Sequence, residues 1–382
     1  MLAGVALAIT CDAMEPLGDL EVTSVMDQMP RQIKMEACSD ASSEPPATLV
    51  YTASLLDGFT RKRTKTRFRY LRCDGTPVAD AVHLARIAAL AIPPAYEDVF
   101  ISADPNSHLQ AVGIDARGRK QYRYHPLWTA QRGQAKFEKL PGFATVLPAL
   151  REQVDIDLRG RSLTMDKAVA TVVLLLDRLF IRIGNAAYAE ANKSYGLTTL
   201  RNRHVTVDGS SVHFKFKGKS GKEWRLTHRD RRIANSIRKL QELPGQHLFQ
   251  YIDEDGATHP ISSQDVNAYI KAATGEDFTS RQFRTWGATC LAASSLSRLE
   301  IAETTTARAR QMNAVIDTVA AQLVNTRAVC RSSYIHPKVL EAFESGALAE
   351  LARIRRGGSA LQKRWMDEDE IRVLRWLRDV CV

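Results

Sequence analysis

Near the end of a helical stretch the sequence reads NTRAVCRSSYIHP (325–337), which sets one tyrosine, Tyr334, beside His336 and Pro337. A phenol there either packs or reacts. In FIRIGN (180–185) Arg182 sits among apolar residues, where an unpaired charge is costly. In SRQFRTWG (280–287) Arg281 and Arg284 lie three apart, on one face of a helix, in apolar surroundings supplied by Phe283 and Trp286. Lys219 stands in GKSGK (218–222) between two alternating segments. Each residue alone has a plain reading: a structural ion pair for a buried arginine, an ordinary exposed lysine at a turn. A P-loop reading of GKSGK fails, because the glycine required five residues before Gly218 is His213, and because a P-loop leads from strand into helix rather than joining two strands. A zinc reading also fails. No HExxH occurs, and His336 has no partner at ligand spacing.

The elements that carry these residues follow from periodicity. RFRYLR (67–72) reads as a strand, CDGTP (73–77) as a turn, and 81–91 as a short helix stopped by Pro93-Pro94. EDVFISADP (97–105), HLQAVGIDA (108–116) and KQYRYHP (120–126) alternate apolar and polar residues between turn signals, as strands of a small antiparallel sheet do. Residues 127–155 look helical, and the apolar run 165–184 reads as a core helix. From 204 to 228 period-two alternation returns, broken at Asp208-Gly209 and at the GKSGK loop, which predicts three strands with Lys219 at a hairpin tip. Beyond Arg229 helical patterns dominate, with loops near Pro244 and Pro260. The expected fold is α+β: a leader over 1–47, disordered or preceding the true start codon, a β-rich N-terminal domain over 48–130, and a mostly helical catalytic domain over 131–382 with a three-stranded sheet.

Composition narrows the function classes. The chain has 382 residues, 45% of them apolar, more than one core usually fills. No apolar run reaches the roughly 18 residues of a membrane span. MLAGVALAIT lacks a basic n-region or a small-residue cleavage site, which argues against a signal peptide. The six cysteines, Cys11, Cys38, Cys73, Cys290, Cys330 and Cys381, form no CxxC pair, which argues against a zinc site and a disulfide framework and fits a reducing cytoplasm. Charge is uneven. Residues 1–50 hold eight acids against Arg31 and Lys34, so the remainder carries a net +16 where the whole chain carries +10. Such a field favours a polyanion, and RKRTKTRFRYLR (61–72) interleaves bases with Phe68 and Tyr70 as phosphate-tracking surfaces do; a solvated strand face is the plain alternative.

In chain order the chemistry-bearing residues run Arg182, Lys219, Arg284, Asn325, Tyr334. That order, with LARIAALAIPPAYEDVFI (84–101), GIDARGRKQYRYHP (113–126), YGLTTLRNRHV (195–205), FKGKSGK (216–222), FRTWGAT (283–289) and NTRAVCRSSYIHP, resembles the type IB DNA topoisomerases, in particular their poxvirus-like and bacterial branch. The resemblance runs from about Gly58 to Pro337. It implies the catalytic fold shared by topoisomerases IB and tyrosine recombinases, Tyr334 as nucleophile, and Arg182, Lys219, Arg284 and Asn325 around the scissile phosphate. It implies DNA contacts from Lys120, Gln121, Tyr122, Arg123 and Tyr124, and from Arg281, a monomer clamped around duplex DNA, and relaxation through a 3′-phosphotyrosyl link without ATP, metal or other cofactor. Some family members have histidine where this chain has Asn325; asparagine cannot shuttle a proton at neutral pH, so toward the phosphate it can only donate a hydrogen bond. Two other functions are weighed against this one. A tyrosine recombinase usually has histidine three residues before its second arginine, where Arg281 stands, and a helical rather than sheet N-terminal domain. A non-catalytic DNA-binding or nucleoid protein would use the same charge without the tyrosine. Cytoplasmic DNA, the nucleoid in a bacterium, is the expected location.

Overall fold

The computed structural model describes residues 48–381 other than Thr66, Arg161 and Arg356, so the expected leader lies outside the described residues. They divide into two compact units, one over 50–123 and one from Tyr124 onward.

In the first unit β1 (Phe59–Arg63), β2 (Phe68–Leu71), α1 (Ala81–Ala89), β3 (Glu97–Ile101), β4 (Leu109–Ile114) and β5 (Lys120–Tyr124) follow in order. The sheet is arranged β2-β1-β3-β4-β5, which makes β5 an edge. Phe59, Val78, Ile87, Val99, Ile101 and Ala111 form its core. The basic run 61–72, weighed as a phosphate-tracking surface against a solvated strand face, is a hairpin in which β1 and β2 pair antiparallel with Arg61 opposite Tyr70 and Arg63 opposite Phe68. Arg61 is not a solvated charge. It donates to the carbonyls of Ile92, Pro93 and Tyr96 at 3.3, 3.1 and 2.6 Å and lies 4.3 Å over the Phe68 ring, so it caps the loop that the proline pair forces after α1.

The second unit holds α2 (Pro126–Glu138), α3 (Leu140–Arg159), α4 (Met165–Leu179), α5 (Ala186–Asn192), the strands β6 (Val205–Asp208), β7 (Ser211–Lys217) and β8 (Glu223–Arg229), and α6 (Arg231–Gln241). A short hairpin of β9 (Gln250–Ile252) and β10 (Thr258–Pro260) precedes α7 (Ser263–Thr274), α8 (Arg281–Ser297), α9 (Thr305–Gln322), α10 (Arg327–Ser333), α11 (Pro337–Ser345), α12 (Ala349–Arg353), α13 (Ala360–Trp365) and α14 (Glu368–Val380). α2 and α3 divide the expected helical stretch 127–155 at Lys139, where Pro141, lacking an N–H, opens the second helix without loss. The β9–β10 hairpin lies in a region expected to be helical and loop; its strands are too short for period-two alternation to register.

α4 is buried along almost its whole length, because its apolar residues face α3, α7 and α8 on different sides. The core helix expected over 165–184 ends at Leu179, not at Gly184. Phe180 takes a left-handed conformation (φ 52°) and closes the helix with its N–H on the Leu176 carbonyl. The three-stranded sheet β6-β7-β8 matches the alternation read from sequence: Val212, Phe214, Phe216 and Trp224 point inward, and His213, Lys215, Lys217 and Arg225 point outward.

Candidate active site

Arg182 is presented by an extended strip rather than by a helix. After Phe180 turns the chain, the carbonyls of Arg182 and Ile183 accept from the N–H groups of Leu197 and Thr198 at 2.8 and 2.7 Å. This close pairing needs glycine at 196, since a Cβ there would stand 2.5 Å from the Gly184 nitrogen and 2.6 Å from the Arg182 oxygen. With its backbone tied down, the half-buried Arg182 side chain reaches across 143 residues of sequence and donates from Nη2 to Asn325 Oδ1 at 2.6 Å. Asn325 itself follows Val324, whose left-handed φ of 49° turns the chain out of α9 and into α10.

The motif FRTWGAT organises the other half, one side chain at a time. Phe283 and Trp286 enter the core. Arg284, 4% exposed, donates from Nη1 to the Phe180 carbonyl and from Nη2 to the Leu323 carbonyl at 3.0 Å. Gly287 lets the Phe180 ring lie against α8, where a Cβ would come within 2.1 Å of it. Thr289, fully buried, donates to the Tyr334 carbonyl at 3.2 Å and accepts from the His336 N–H at 3.1 Å. One helix therefore aims a guanidinium and, five residues further on, pins the backbone on both sides of Ile335. The outcome is that Arg284 lies 4.9 Å over the Tyr334 ring.

The electrostatics favour ionising the phenol. Burial alone pushes the Tyr334 pKa up, but the charge of Arg284, then that of Arg182, and hydrogen bonds from both outweigh it and hold the value below that of an ordinary tyrosine. Burial brings the Arg284 pKa down to about 10, against the opposing pull of Tyr334, so the group stays cationic near neutral pH. Two donors are left over. No oxygen or nitrogen among the described residues accepts from the buried Arg284 Nε or Asn325 Nδ2, and the amide nitrogen, with the Cys330 thiol beside Asn325, can only donate. An unpaired buried donor costs about 1–3 kcal/mol, and an anion at this place would accept from both.

The structure thus brings together four of the five residues singled out from sequence: Arg182, Arg284, Asn325 and Tyr334. The fifth is apart. Lys219 is exposed at the tip of the β7–β8 hairpin, in a single 3₁₀ turn where Ser220 and Gly221 are left-handed (φ 63° and 73°), and among the described residues it makes no hydrogen bond or ion pair to the other four. Arg281 opens α8 and is exposed, while Arg284 on the next turn is buried. Lys120, Gln121, Tyr122, Arg123 and Tyr124 line the edge strand β5, with Tyr122 and Tyr124 about two-fifths exposed. Gln121 donates to Asp115 at 3.0 Å and Arg123 to the Ala91 carbonyl at 3.2 Å. His336 is structural: its Nδ1 caps α11 by accepting from the Lys338 N–H at 3.2 Å, its ring lies 5.3 Å from that of Phe137, and burial holds its pKa down at about 4. Two further residues went unread in the sequence. Thr289 lies inside FRTWGAT, and the signal was its place five residues beyond Arg284 on the same helix. Lys136 on α2 donates to the Ser332 carbonyl at 3.3 Å, and nothing in its local pattern announces this.

Two family models match the chain: the catalytic core of eukaryotic DNA topoisomerase I over residues 120–356, and the N-terminal domain of bacterial DNA topoisomerase IB over residues 67–115. Among curated relatives, the DNA topoisomerase 1B of Acanthamoeba polyphaga mimivirus is 32% identical over 298 residues, which cover 76% of this chain and 89% of the relative. The DNA topoisomerase 1B of vaccinia virus (strain Copenhagen) is 25% identical over 146 residues, 37% of this chain and 46% of the relative, and the DNA topoisomerase I of monkeypox virus matches to the same extent. The matched segments combine a DNA topoisomerase catalytic core with a bacterial-type N-terminal domain in front of it. The chain belongs to the type IB DNA topoisomerases, on their poxvirus-like and bacterial branch, isomerases that relax supercoiled duplex DNA. That membership sets aside the recombinase and the non-catalytic binder.

Proposed function

We propose that Tyr334 is the nucleophile of a reversible strand transfer in which its Oη bonds to the scissile phosphorus and the 5′-oxygen of the downstream nucleotide departs. The observation that carries this reading is the pair of buried donors, Arg284 Nε–H and Asn325 Nδ2–H, from which no oxygen or nitrogen among the described residues accepts, beside a phenol whose pKa two guanidiniums hold down. A free tyrosine is ionised only about one time in a thousand at neutral pH, so this electrostatic help bears directly on rate. Arg182 and Arg284 neutralise the non-bridging oxygens as charge grows in the pentacoordinate transition state, each preorganised donor giving roughly 10²–10³ in rate. Asn325 donates to the same phosphate. The phenol proton passes to water. Lys219 gives its proton to the departing 5′-oxygen, which is far more basic than phenolate, and takes it back when the 5′-hydroxyl attacks the 3′-phosphotyrosine. Its exposed turn fits an acid that reaches its post when DNA is bound. One phosphoester replaces another, so the bond energy is kept and resealing calls for neither ATP nor metal.

On the same reading, Lys120, Gln121, Tyr122, Arg123, Tyr124 and Arg281 contact the duplex, and a single chain clamps it with its two units, acting on cytoplasmic DNA, the nucleoid in a bacterium. Replacing Tyr334→Phe tests the core of it. Plasmid relaxation in EDTA without ATP, and the covalent protein–DNA adduct, should both vanish while salt-sensitive DNA binding stays; an adduct that persists in this variant would assign the nucleophile elsewhere.

A further inference from the structure

Two residues beyond Arg284 on α8, Trp286 meets a buried charge cluster that the transfer chemistry does not use. Arg151 on α3 donates from Nε and Nη2 to the Asp177 carboxylate on α4 at 2.9 and 2.8 Å, and from Nη1 and Nη2 to Glu370 on α14 at 2.7 and 2.8 Å. Its Nη1 also donates to the Trp365 carbonyl at 2.6 Å. Glu370 Oε1 in turn accepts from the Trp286 indole at 2.9 Å, and its Oε2 accepts from the Asp367 N–H at 3.1 Å, which closes the capping box of α14. Burial pushes the Glu370 pKa up, but the hydrogen bonds and charge of Arg151 outweigh it, so the carboxylate is ionised.

The placement of this cluster matters more than its energy. Asp177 lies three residues before Phe180, whose carbonyl holds Arg284, and Trp286 lies two residues after Arg284 on the same helix. The end of α4, through Arg151, and the helix that carries Arg284, through Trp286, are therefore both tied to Glu370 of α14, in a segment beyond the family match that ends at residue 356. A buried ion cluster contributes little net stability over apolar side chains of equal volume, whereas its hydrogen bonds fix directions that apolar contacts leave loose. We infer that Glu370 is a positioning residue for strand cleavage: through Trp286 and Arg151 it locks α8 against the end of α4 and so aims Arg284 at the scissile phosphate. This rests on the reading of Arg284 as a ligand of that phosphate.

Glu370→Gln places an amide nitrogen against donors, and Trp286→Phe removes one indole N–H while leaving every charge paired, so the second variant reports even where the first folds poorly. Both are measured in the full chain by single-turnover cleavage of a duplex carrying either a normal phosphodiester or a methylphosphonate at the scissile linkage, with Arg284→Ala alongside. On the phosphodiester each variant should cleave about tenfold more slowly than the parent, the worth of a hydrogen bond to a charged group, with noncovalent DNA binding unchanged. On the methylphosphonate, which lacks the non-bridging charge that Arg284 neutralises, the penalties of Arg284→Ala and of both variants should shrink together. Cleavage at the parent rate by Trp286→Phe overturns the inference. So does a penalty that persists on the methylphosphonate while that of Arg284→Ala is relieved, since the cluster would then act on the fold and not on the phosphate. If Arg284→Ala itself gains nothing, the assignment of Arg284 is wrong and the inference falls with it.

Discussion

At the scale of single residues, the site is a contest between burial and charge over one phenol. Burial favours neutral Tyr334, and Arg284 with Arg182 wins it back for the phenolate. A depressed pKa means that the ionised form is favoured in the folded chain and is lost as pH falls through the folded value. In the free protein the Tyr334 phenol, read as the ultraviolet difference between the parent and Tyr334→Phe, should therefore titrate below the ordinary value of about 10. Arg284→Ala should move that midpoint upward, because it removes the larger attraction and leaves the burial; an unmoved midpoint would show that the guanidinium does not act on the phenol. Lys219 makes a separate claim about the leaving group. Lys219→Ala should slow cleavage of a normal linkage by about 10²–10⁴, the range for general acids, and recover most of that loss on a substrate whose 5′-leaving group is a thiolate, which needs no proton. Failure to recover counts against the acid role.

At the scale of elements, α8 does three jobs with side chains spaced along one motif. Arg284 points into the site, Gly287 admits the Phe180 ring, and Thr289 holds the Tyr334 backbone. The strip 182–184 depends in its turn on the left-handed close of α4 and on the close approach of Gly196. The expectation that tests this arrangement concerns a residue outside the reacting set. Thr289→Val keeps shape and burial but removes a donor to the Tyr334 carbonyl and the acceptor of the His336 N–H, at a cost of about 1–3 kcal/mol for the stranded group. Cleavage should fall roughly tenfold, by the same free-energy scale, with Tm lowered only modestly and DNA binding kept. A variant that melts earlier yet cleaves at the parent rate would make Thr289 a packing residue alone.

At the scale of the whole molecule, the dominant property is a net charge that gathers outside the first fifty residues and makes the described body strongly basic. Such a body should bind duplex DNA with an affinity that falls steeply with salt, and replacing Lys120 or Arg123 by alanine should reduce the slope of log Kd against log salt by about one for each phosphate left without its cation. An unchanged slope would place β5 away from the backbone of the duplex. Charge, the alternation that builds the three-stranded sheet, and the chain order of Arg182, Lys219, Arg284, Asn325 and Tyr334 were all legible in the amino-acid sequence, because each is local or rests on motif resemblance. The end of α4 was not, since only packing against α8 makes a left-handed Phe180 better than one more helical turn in an apolar run. Nor was the basic hairpin, where Arg61 finds carbonyls brought near by the folded loop after α1. The sequence by itself determined which side chains could react and that their partner is a polyanion. Tertiary structure alone decided that Arg182 meets Asn325, that Arg284 covers Tyr334 and that Glu370 reaches Trp286, because contacts between groups 50 to 143 residues apart are set by how helices pack and leave no periodic trace along the chain.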